Sequence, residues 1–221
     1  ILGHLNTLKE NVLRLHMRNI SDTIAAISTG TGGAVSIIRI SGPNALKIAN
    51  AIWHGSTPLT QANNRMMLLG KCHSPDKSFS EQAVAVFFQG PASYTGEDVV
   101  EIQCHGGALV SKKVLELALT SGARQADPGE FTFRAFMNGK MDLTQAEGVC
   151  DIITAQSSMA LNLAQRQTGG VLGNAVREIR ISLVHVLSEC ESRLDFGEEN
   201  LDWEEPASLR QNIDSASQKI R

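Results

Sequence analysis

The sequence has little net charge and no long apolar segment. Its 221 residues contain 20 Lys and Arg against 23 Asp and Glu, which leaves a formal net charge of −3. No broad basic surface for nucleic-acid binding is expected. Any RNA contact must therefore be local or made elsewhere. No uninterrupted apolar run approaches the roughly 20 residues needed to cross a bilayer. The sequence therefore predicts a soluble protein without membrane contact.

Cysteine is scarce, and no metal-binding spacing is present. No CxxC pair occurs among the four cysteines, which are Cys72, Cys104, Cys150 and Cys190. Two of them precede a histidine, but neighbours on a strand point to opposite faces and rarely bind one metal together. We expect reduced, mostly buried thiols and no metal site.

The nucleotide-binding pattern GxxxxGK[ST] is also absent. The residues that follow Gly139-Lys140 do not complete it, so this chain by itself is not expected to hydrolyse GTP. A second glycine-rich segment, Gly30-Thr-Gly-Gly33, has two interpretations. It is either a connection between strands that needs unusual backbone angles, or a loop that contacts a ligand.

Strand and helix patterns alternate over the first two thirds of the chain. The β-rich runs 23–27 and 34–41 flank the glycine loop, and a helix is predicted over 44–53. The runs 66–72 and 83–88 flank a polar turn and predict a hairpin, followed by a strand at 99–104. After His105-Gly-Gly107, a helix places Val110, Val114 and Leu117 toward a core. These patterns predict an α+β fold with a mixed sheet and flanking helices.

Helical periodicity dominates the rest of the chain. One apolar face includes Leu143 and Ile153, and a second runs from Leu172 to Leu194 with nearly heptad spacing. Gly169-Gly170 is predicted to interrupt these helices, and a last helix is predicted to begin near Ala207. We therefore expect three segments: a leader or N-terminal extension at 1–20, a sheet domain at 21–138, and the first part of a helical bundle at 139–221.

Two charged residues interrupt apolar strands. Arg39 shares a strand face with Val35 and Ile37, and Glu101 shares one with Val99. Each charge needs a partner if it is buried. Two interpretations remain: the two residues neutralise each other within the fold, or they belong to a ligand pocket.

Lys140 lies in the segment Asn138-Gly-Lys-Met-Asp142, where the two patterns meet. Ligands often lodge at such junctions, where a lysine neutralises an anion. A solvated loop lysine is the alternative interpretation.

An ordered series of short motifs resembles the MnmE (TrmE) family of tRNA-modification GTPases. The resemblance covers nearly all of 21–155 and continues through the helices to Arg221. The matching residues include Asp22-Thr-Ile-Ala25, Ile38-Arg-Ile-Ser-Gly42, Tyr94-Thr-Gly-Glu-Asp98, Glu101 to Gly107, Pro128-Gly-Glu-Phe131, Arg134-Ala-Phe136, Asn138, Lys140, Asp142-Leu143 and Gln145-Ala-Glu147.

The resemblance implies a folate-binding N-terminal domain that forms a homodimer, followed by a helical domain into which a GTPase domain is inserted. It implies a cytoplasmic protein that works with the flavoprotein MnmG (GidA) to modify wobble uridine in tRNA. The one-carbon donor would be 5-formyltetrahydrofolate or a related tetrahydrofolate, contacted by Arg39, Glu101 and Lys140. GTP, magnesium and potassium would belong to the GTPase domain, whose motifs this chain lacks.

This sequence departs from the family at Thr31, where an arginine often stands, and that change puts an anion-binding role of the glycine loop in doubt. Two rival functions remain. One is an autonomous tetrahydrofolate-dependent one-carbon transferase that uses Glu97 or Asp98 as its acid. The other is a ligand-free dimerisation scaffold.

Overall fold

The computed structural model describes residues 21–30, 32–196 and 203–220. The chain divides into two compact units, Ile1–Met141 and Asp142–Arg221. The predicted α+β fold, a mixed sheet with helices followed by further helices, is confirmed. The proposed leader at 1–20, Thr31 and part of the acidic segment, 197–202, lie outside the described residues.

The first unit is built on a mixed sheet. Its described residues form seven strands in the order β3-β4-β5-β6-β2-β1-β7. Neighbouring strands are antiparallel except β1 and β7, which are parallel. The strands are β1 Ile24–Ile27, β2 Val35–Ser41, β3 Trp53–Gly55, β4 Met67–His73, β5 Ser80–Phe88, β6 Val99–His105 and β7 Arg124–Gln125.

Both predicted strand connections are confirmed. Strands β4 and β5 form the hairpin, in which Asp76 accepts hydrogen bonds from Ser74 and Ser78 in the turn. Strands β1 and β2 pair across the glycine loop. In this loop Gly32 has a φ of 89°, an angle that residues other than glycine rarely adopt. The described part of the loop thus joins two strands with an unusual backbone angle at Gly32, and ligand contact by this loop stays a prediction.

Helices cover one face of this sheet. Helix α1 (Ala45–Ile52) and helix α2 (Ala108–Thr120) pack on the face that carries the fully buried side chains of Ile38, Ile40 and Ile102. Each such side chain contributes about 1.5–3 kcal/mol when it leaves water. Because strand side chains alternate, Arg39 and Glu101 point to the other face.

Helix α3 (Glu130–Met137) completes the first unit. Gly129 before it and Gly139 after it have φ angles of 79° and 69°, so glycine allows the chain to turn at both ends. The helix thus lies between two tight turns, and the second turn leads directly to Lys140.

The second unit contains four described helices, α4 Leu143–Thr154, α5 Ser158–Thr168, α6 Val171–Asp195 and α7 Pro206–Ile220. Asp142 begins α4 with a capping box to Gln145, and the Ser157 side chain accepts a hydrogen bond from the Ala160 amide at the start of α5. The predicted interruption at Gly169-Gly170 and the last helix are confirmed. The separate helix α5 was not anticipated, because the break at 155–157 contains no glycine or proline.

Several apolar and thiol side chains of the helices are exposed. Of the predicted apolar face from Leu172 to Leu194, only Val186 is buried within the described residues. The expectation of mostly buried thiols holds only for Cys72 and Cys104, since the two helical cysteines are exposed. Burial raises the pKa of the Cys72 thiol to about 12. None of the described helices combines the length and the apolar character needed to cross a membrane.

Candidate functional site

Arg39 and Glu101 are direct neighbours across the β2–β6 pair. The Arg39 Nε donates to Glu101 Oε1 over 2.9 Å, and Arg39 Nη2 lies 2.8 Å from the same oxygen. The two side chains are only 23% and 16% exposed. The predicted mutual neutralisation is therefore present, but it occurs at the surface of the sheet and leaves part of each group accessible to solvent.

The ion pair leaves hydrogen-bonding capacity unused. Both contacts go to one carboxylate oxygen, and within the described ranges neither Glu101 Oε2 nor Arg39 Nη1 hydrogen-bonds to another protein group. A carboxylate oxygen accepts and a guanidinium nitrogen donates. The pair thus offers an acceptor and a donor side by side on the face of the sheet opposite helices α1 and α2.

Two aromatic rings enclose the Arg39 guanidinium. Its Cζ lies 5.0 Å from the centroid of the Tyr94 ring and 5.5 Å from that of Phe131. Tyr94 belongs to the loop 89–98 between β5 and β6, and its hydroxyl lies 2.9 Å from Thr132 Oγ1 on α3. Cation–π contacts of this kind attract the guanidinium and restrict its orientation.

Lys140 contacts the beginning of the loop 89–98. Its Nζ donates to the Pro91 carbonyl over 2.9 Å, and neighbouring Asn138 donates to the Thr95 carbonyl over 2.7 Å. The side chain of Lys140 is otherwise exposed. The structure therefore brings Arg39 and Glu101 into direct contact, whereas Lys140 is related to them only through the loop 89–98.

A cluster of five charged residues lies beside this site and was missed from the sequence. Arg134, which is 1% exposed, donates to Asp22, to Glu97 over 3.1 Å and to Glu130 over 3.1 Å. Arg124 donates to Asp22 over 2.6 Å and to Glu130 over 2.5 Å. Four of these residues lie in the motifs that carry the family resemblance, but nothing in their spacing indicates that they meet.

The cluster shifts the pKa of its acids. Burial raises the pKa of Asp22 and Glu130, but hydrogen bonds and charge from Arg124 and Arg134 outweigh burial and hold both pKa values below their ordinary range. These carboxylates therefore stay ionised at neutral pH, which Arg134 requires because a buried guanidinium without acceptors is strongly destabilising.

Glu97 and Asp98, the acids considered for an autonomous transferase, both take part in local hydrogen bonds. Glu97 accepts from Ser41 Oγ over 2.6 Å as well as from Arg134, and Asp98 accepts from the Gly90 amide over 2.9 Å. Both carboxylates therefore hold the loop 89–98 in place. His105 is likewise engaged, with Nδ1 at 2.6 Å from Glu81 Oε1.

Comparison with known proteins identifies the family. Residues 23–140 match the model of the "GTP-binding protein TrmE N-terminus", and residues 143–221 match that of the "MnmE helical domain". The tRNA modification GTPase MnmE of Natranaerobius thermophilus is 42% identical over 201 residues, which are 90% of this chain and 44% of that protein. Its counterparts in Caldicellulosiruptor saccharolyticus and Roseiflexus castenholzii are 43% and 44% identical over 203 and 202 residues, again 90% of this chain but 44% and 42% of those proteins.

The chain thus spans less than half the length of the curated relatives that it matches. Their similarity nevertheless extends through both units, in the same order along the chain. The chain belongs to the MnmE (TrmE) family of tRNA modification GTPases.

Proposed function

We propose that this chain is the N-terminal portion of a tRNA-modification GTPase whose sheet unit binds a tetrahydrofolate one-carbon donor at Arg39, Glu101 and Lys140. The relatives are named tRNA modification GTPases, which supports the general activity. In the complete protein, GTP with magnesium and potassium would be bound outside this chain. The partners would be the flavoprotein MnmG and a tRNA whose wobble uridine is modified, in the cytoplasm.

The observation that carries the folate proposal is the unused half of the Arg39–Glu101 pair. A pterin ring presents neighbouring N–H groups that match a carboxylate, and a carbonyl oxygen that matches a guanidinium. Glu101 Oε2 and Arg39 Nη1 offer this combination without breaking their own contact. Lys140 suits the carboxylates of the folate glutamate as an exposed cation at the far part of the loop 89–98.

The autonomous transferase is less well supported than the binding module. Such an enzyme needs an acid with a proton to deliver close to the reactive nitrogens of the folate. Glu97 is held by buried Arg134 and by Ser41, and Asp98 accepts from a backbone amide. Both arrangements favour a role in shaping the loop over proton delivery.

Self-association is proposed to use the face of the sheet opposite helices α1 and α2. This face continues from Glu101 through Val86 to Met67, and it carries Met67 and Leu69 at 58% and 62% exposure. Exposed apolar side chains on the face that also carries a partly desolvated ion pair favour an interface on that face. A second copy placed on this face would remove water from the site of Arg39 and Glu101 and would form a symmetric dimer.

Light scattering tests the dimer. Wild-type protein is expected at twice the mass of one chain, and Leu69→Glu is expected as a monomer because association would bury the charge of each introduced glutamate. The matched control is Leu109→Glu, which changes a leucine that is 70% exposed on helix α2, on the other face of the sheet. A monomeric wild type, or dimers in both variants, would contradict the proposed interface.

Calorimetric titration with 5-formyltetrahydrofolate tests the ligand. Saturable binding is expected for the wild type, with weaker binding after Lys140→Met. The control is Lys47→Met, which removes an exposed lysine from helix α1 on the helix-covered face. Absence of binding by the wild-type dimer would refute the folate proposal and leave the scaffold as the better interpretation.

A further inference from the structure

We infer that Glu97 and Arg134 are positioning residues for the candidate folate site, because they hold together the two segments that enclose Arg39. This inference rests on the proposed folate function for its purpose, but its geometry does not depend on a ligand.

The two aromatic rings around Arg39 come from separate parts of the chain. Tyr94 is carried by the loop 89–98, and Phe131 is carried by helix α3. The Arg39 guanidinium contacts both rings only if the distance between the loop 89–98 and helix α3 is maintained. The Tyr94 hydroxyl contact to Thr132 links the two segments at the surface, where water competes for the hydrogen bond.

Glu97 supplies the link beneath the surface. It lies three residues after Tyr94, and its Oε1 and Oε2 are 3.1 and 3.4 Å from Nη1 of Arg134 on α3. Its Oε2 also accepts from Ser41 Oγ over 2.6 Å, at the end of the strand that carries Arg39. One carboxylate thus connects the loop, the helix and the strand whose side chains meet at the site.

Glu130 provides a matched comparison, because it contacts the same arginine but does not touch the loop. It lies on α3 four residues before Arg134, at 3.1 Å, and it is more buried than Glu97. Glu97→Gln and Glu130→Gln therefore each remove one negative charge beside Arg134. Only the first weakens the connection between loop and helix, and in both variants Arg134 keeps two other acidic partners.

The single tyrosine of the chain allows the positioning to be measured directly. Protein labelled with 3-fluorotyrosine gives one ¹⁹F resonance, which reports the surroundings of Tyr94 without any ligand. We expect Glu97→Gln to move or broaden this resonance, whereas Glu130→Gln leaves it in place although it lowers the melting temperature more. An unchanged resonance in Glu97→Gln overturns the inference.

Folate affinity gives the second readout. Titration of 5-formyltetrahydrofolate well below both melting temperatures should show a Kd raised about tenfold in Glu97→Gln, the size expected for coupled groups in one network. Glu130→Gln should bind as the wild type does. Equal losses in both variants would mean that the cluster only stabilises the fold, and they would overturn the positioning role.

The two readouts separate this inference from the proposed function. A wild type that binds no folate refutes the folate proposal, while the ¹⁹F resonance still decides whether Glu97 positions Tyr94. If Glu97→Gln does not fold, Ser41→Ala replaces it, since it removes the bonds of Ser41 Oγ to Glu97 Oε2 and Thr95 Oγ1, which link β2 to the loop 89–98, and retains the contact of Glu97 with Arg134. A smaller shift of the same resonance is then expected, and no shift overturns the inference.

Discussion

Replacing Glu101 by Gln keeps the size of the side chain but removes its charge beside Arg39. The amide oxygen can still accept from Arg39 Nε, and the rings of Tyr94 and Phe131 still stabilise the guanidinium. Breaking exposed pairs costs about 0–1 kcal/mol and breaking buried ones about 3–5 kcal/mol. For side chains that are 23% and 16% exposed, we expect an intermediate loss of stability, about 1–2 kcal/mol.

Folate affinity should respond more strongly than stability. The wild-type carboxylate accepts at both oxygens, whereas glutamine turns one of these positions into a donor that meets a pterin N–H group. Such a mismatch costs about 1–3 kcal/mol, which corresponds to a five- to 150-fold higher Kd. The variant is therefore expected to melt only about 2–8 °C lower and to lose most of its affinity for 5-formyltetrahydrofolate.

Parallel calorimetric titrations and melting curves of the wild type and Glu101→Gln decide the case. The control is Gln103→Glu, which changes a charge on the same face of β6 while both members of the ion pair are retained. An unchanged Kd in Glu101→Gln, with a melting temperature lowered by much more than expected, would refute the ligand role. Glu101 would then serve only to neutralise Arg39.

Three further predictions concern the fold. Acid should destabilise the first unit. The pKa values of Asp22 and Glu130 are depressed in the folded state, so the stabilisation that these carboxylates provide is complete above the ordinary carboxyl pKa of about 4 and is lost as the pH falls below it. A melting temperature that stays constant down to pH 2 would contradict this prediction. Gly42→Ala should cost at least about 2 kcal/mol in urea unfolding, because Gly42 has a φ of 131° and an added Cβ would lie 2.6 Å from the Asp22 carbonyl oxygen. Asp142→Ala should lower the stability of helix α4 by about 1 kcal/mol because the helix loses its N-terminal cap. Hydrogen exchange in α4 measures this loss, and Asp151→Ala within the same helix should have little effect.

The strands and their buried faces could be predicted because apolar and polar side chains alternate along them. In β2, residues 38 and 40 are apolar and buried while residue 39 is charged and faces the other way, so both the strand and its two faces follow from the sequence. The same reasoning placed Arg39 and Glu101 on strands, but it could not pair them. Pairing depends on register, and the sequence alone left mutual neutralisation and a pocket equally open.

The ionic cluster could not be predicted for a different reason. Asp22 and Arg134 are separated by 112 positions in the chain, and nothing near either residue indicates which distant charge it meets. Only the return of the chain through β7 and α3 brings them together. The break between helices α4 and α5 could not be predicted for a local reason. Ser157 caps the start of α5, but no glycine or proline marks the end of α4.

Arg39 and Arg134 differ in the number of their acceptors and in their access to solvent. Each keeps one guanidinium nitrogen without a hydrogen-bond partner in the described part of the chain, Nη1 in Arg39 and Nε in Arg134, but the Nε of Arg134 is buried. Arg134 is 1% exposed and is surrounded by three carboxylates and a backbone carbonyl, so a ligand could approach it only by displacing a partner that it needs. Arg39 shares a single carboxylate oxygen, keeps one nitrogen free of protein partners within the described residues, and lies where solvent reaches it. A ligand can therefore add hydrogen bonds at Arg39 without breaking existing ones. By this reasoning, Arg39 is suited to recognition and Arg134 to support, although the sequence presents both as charges in an apolar setting.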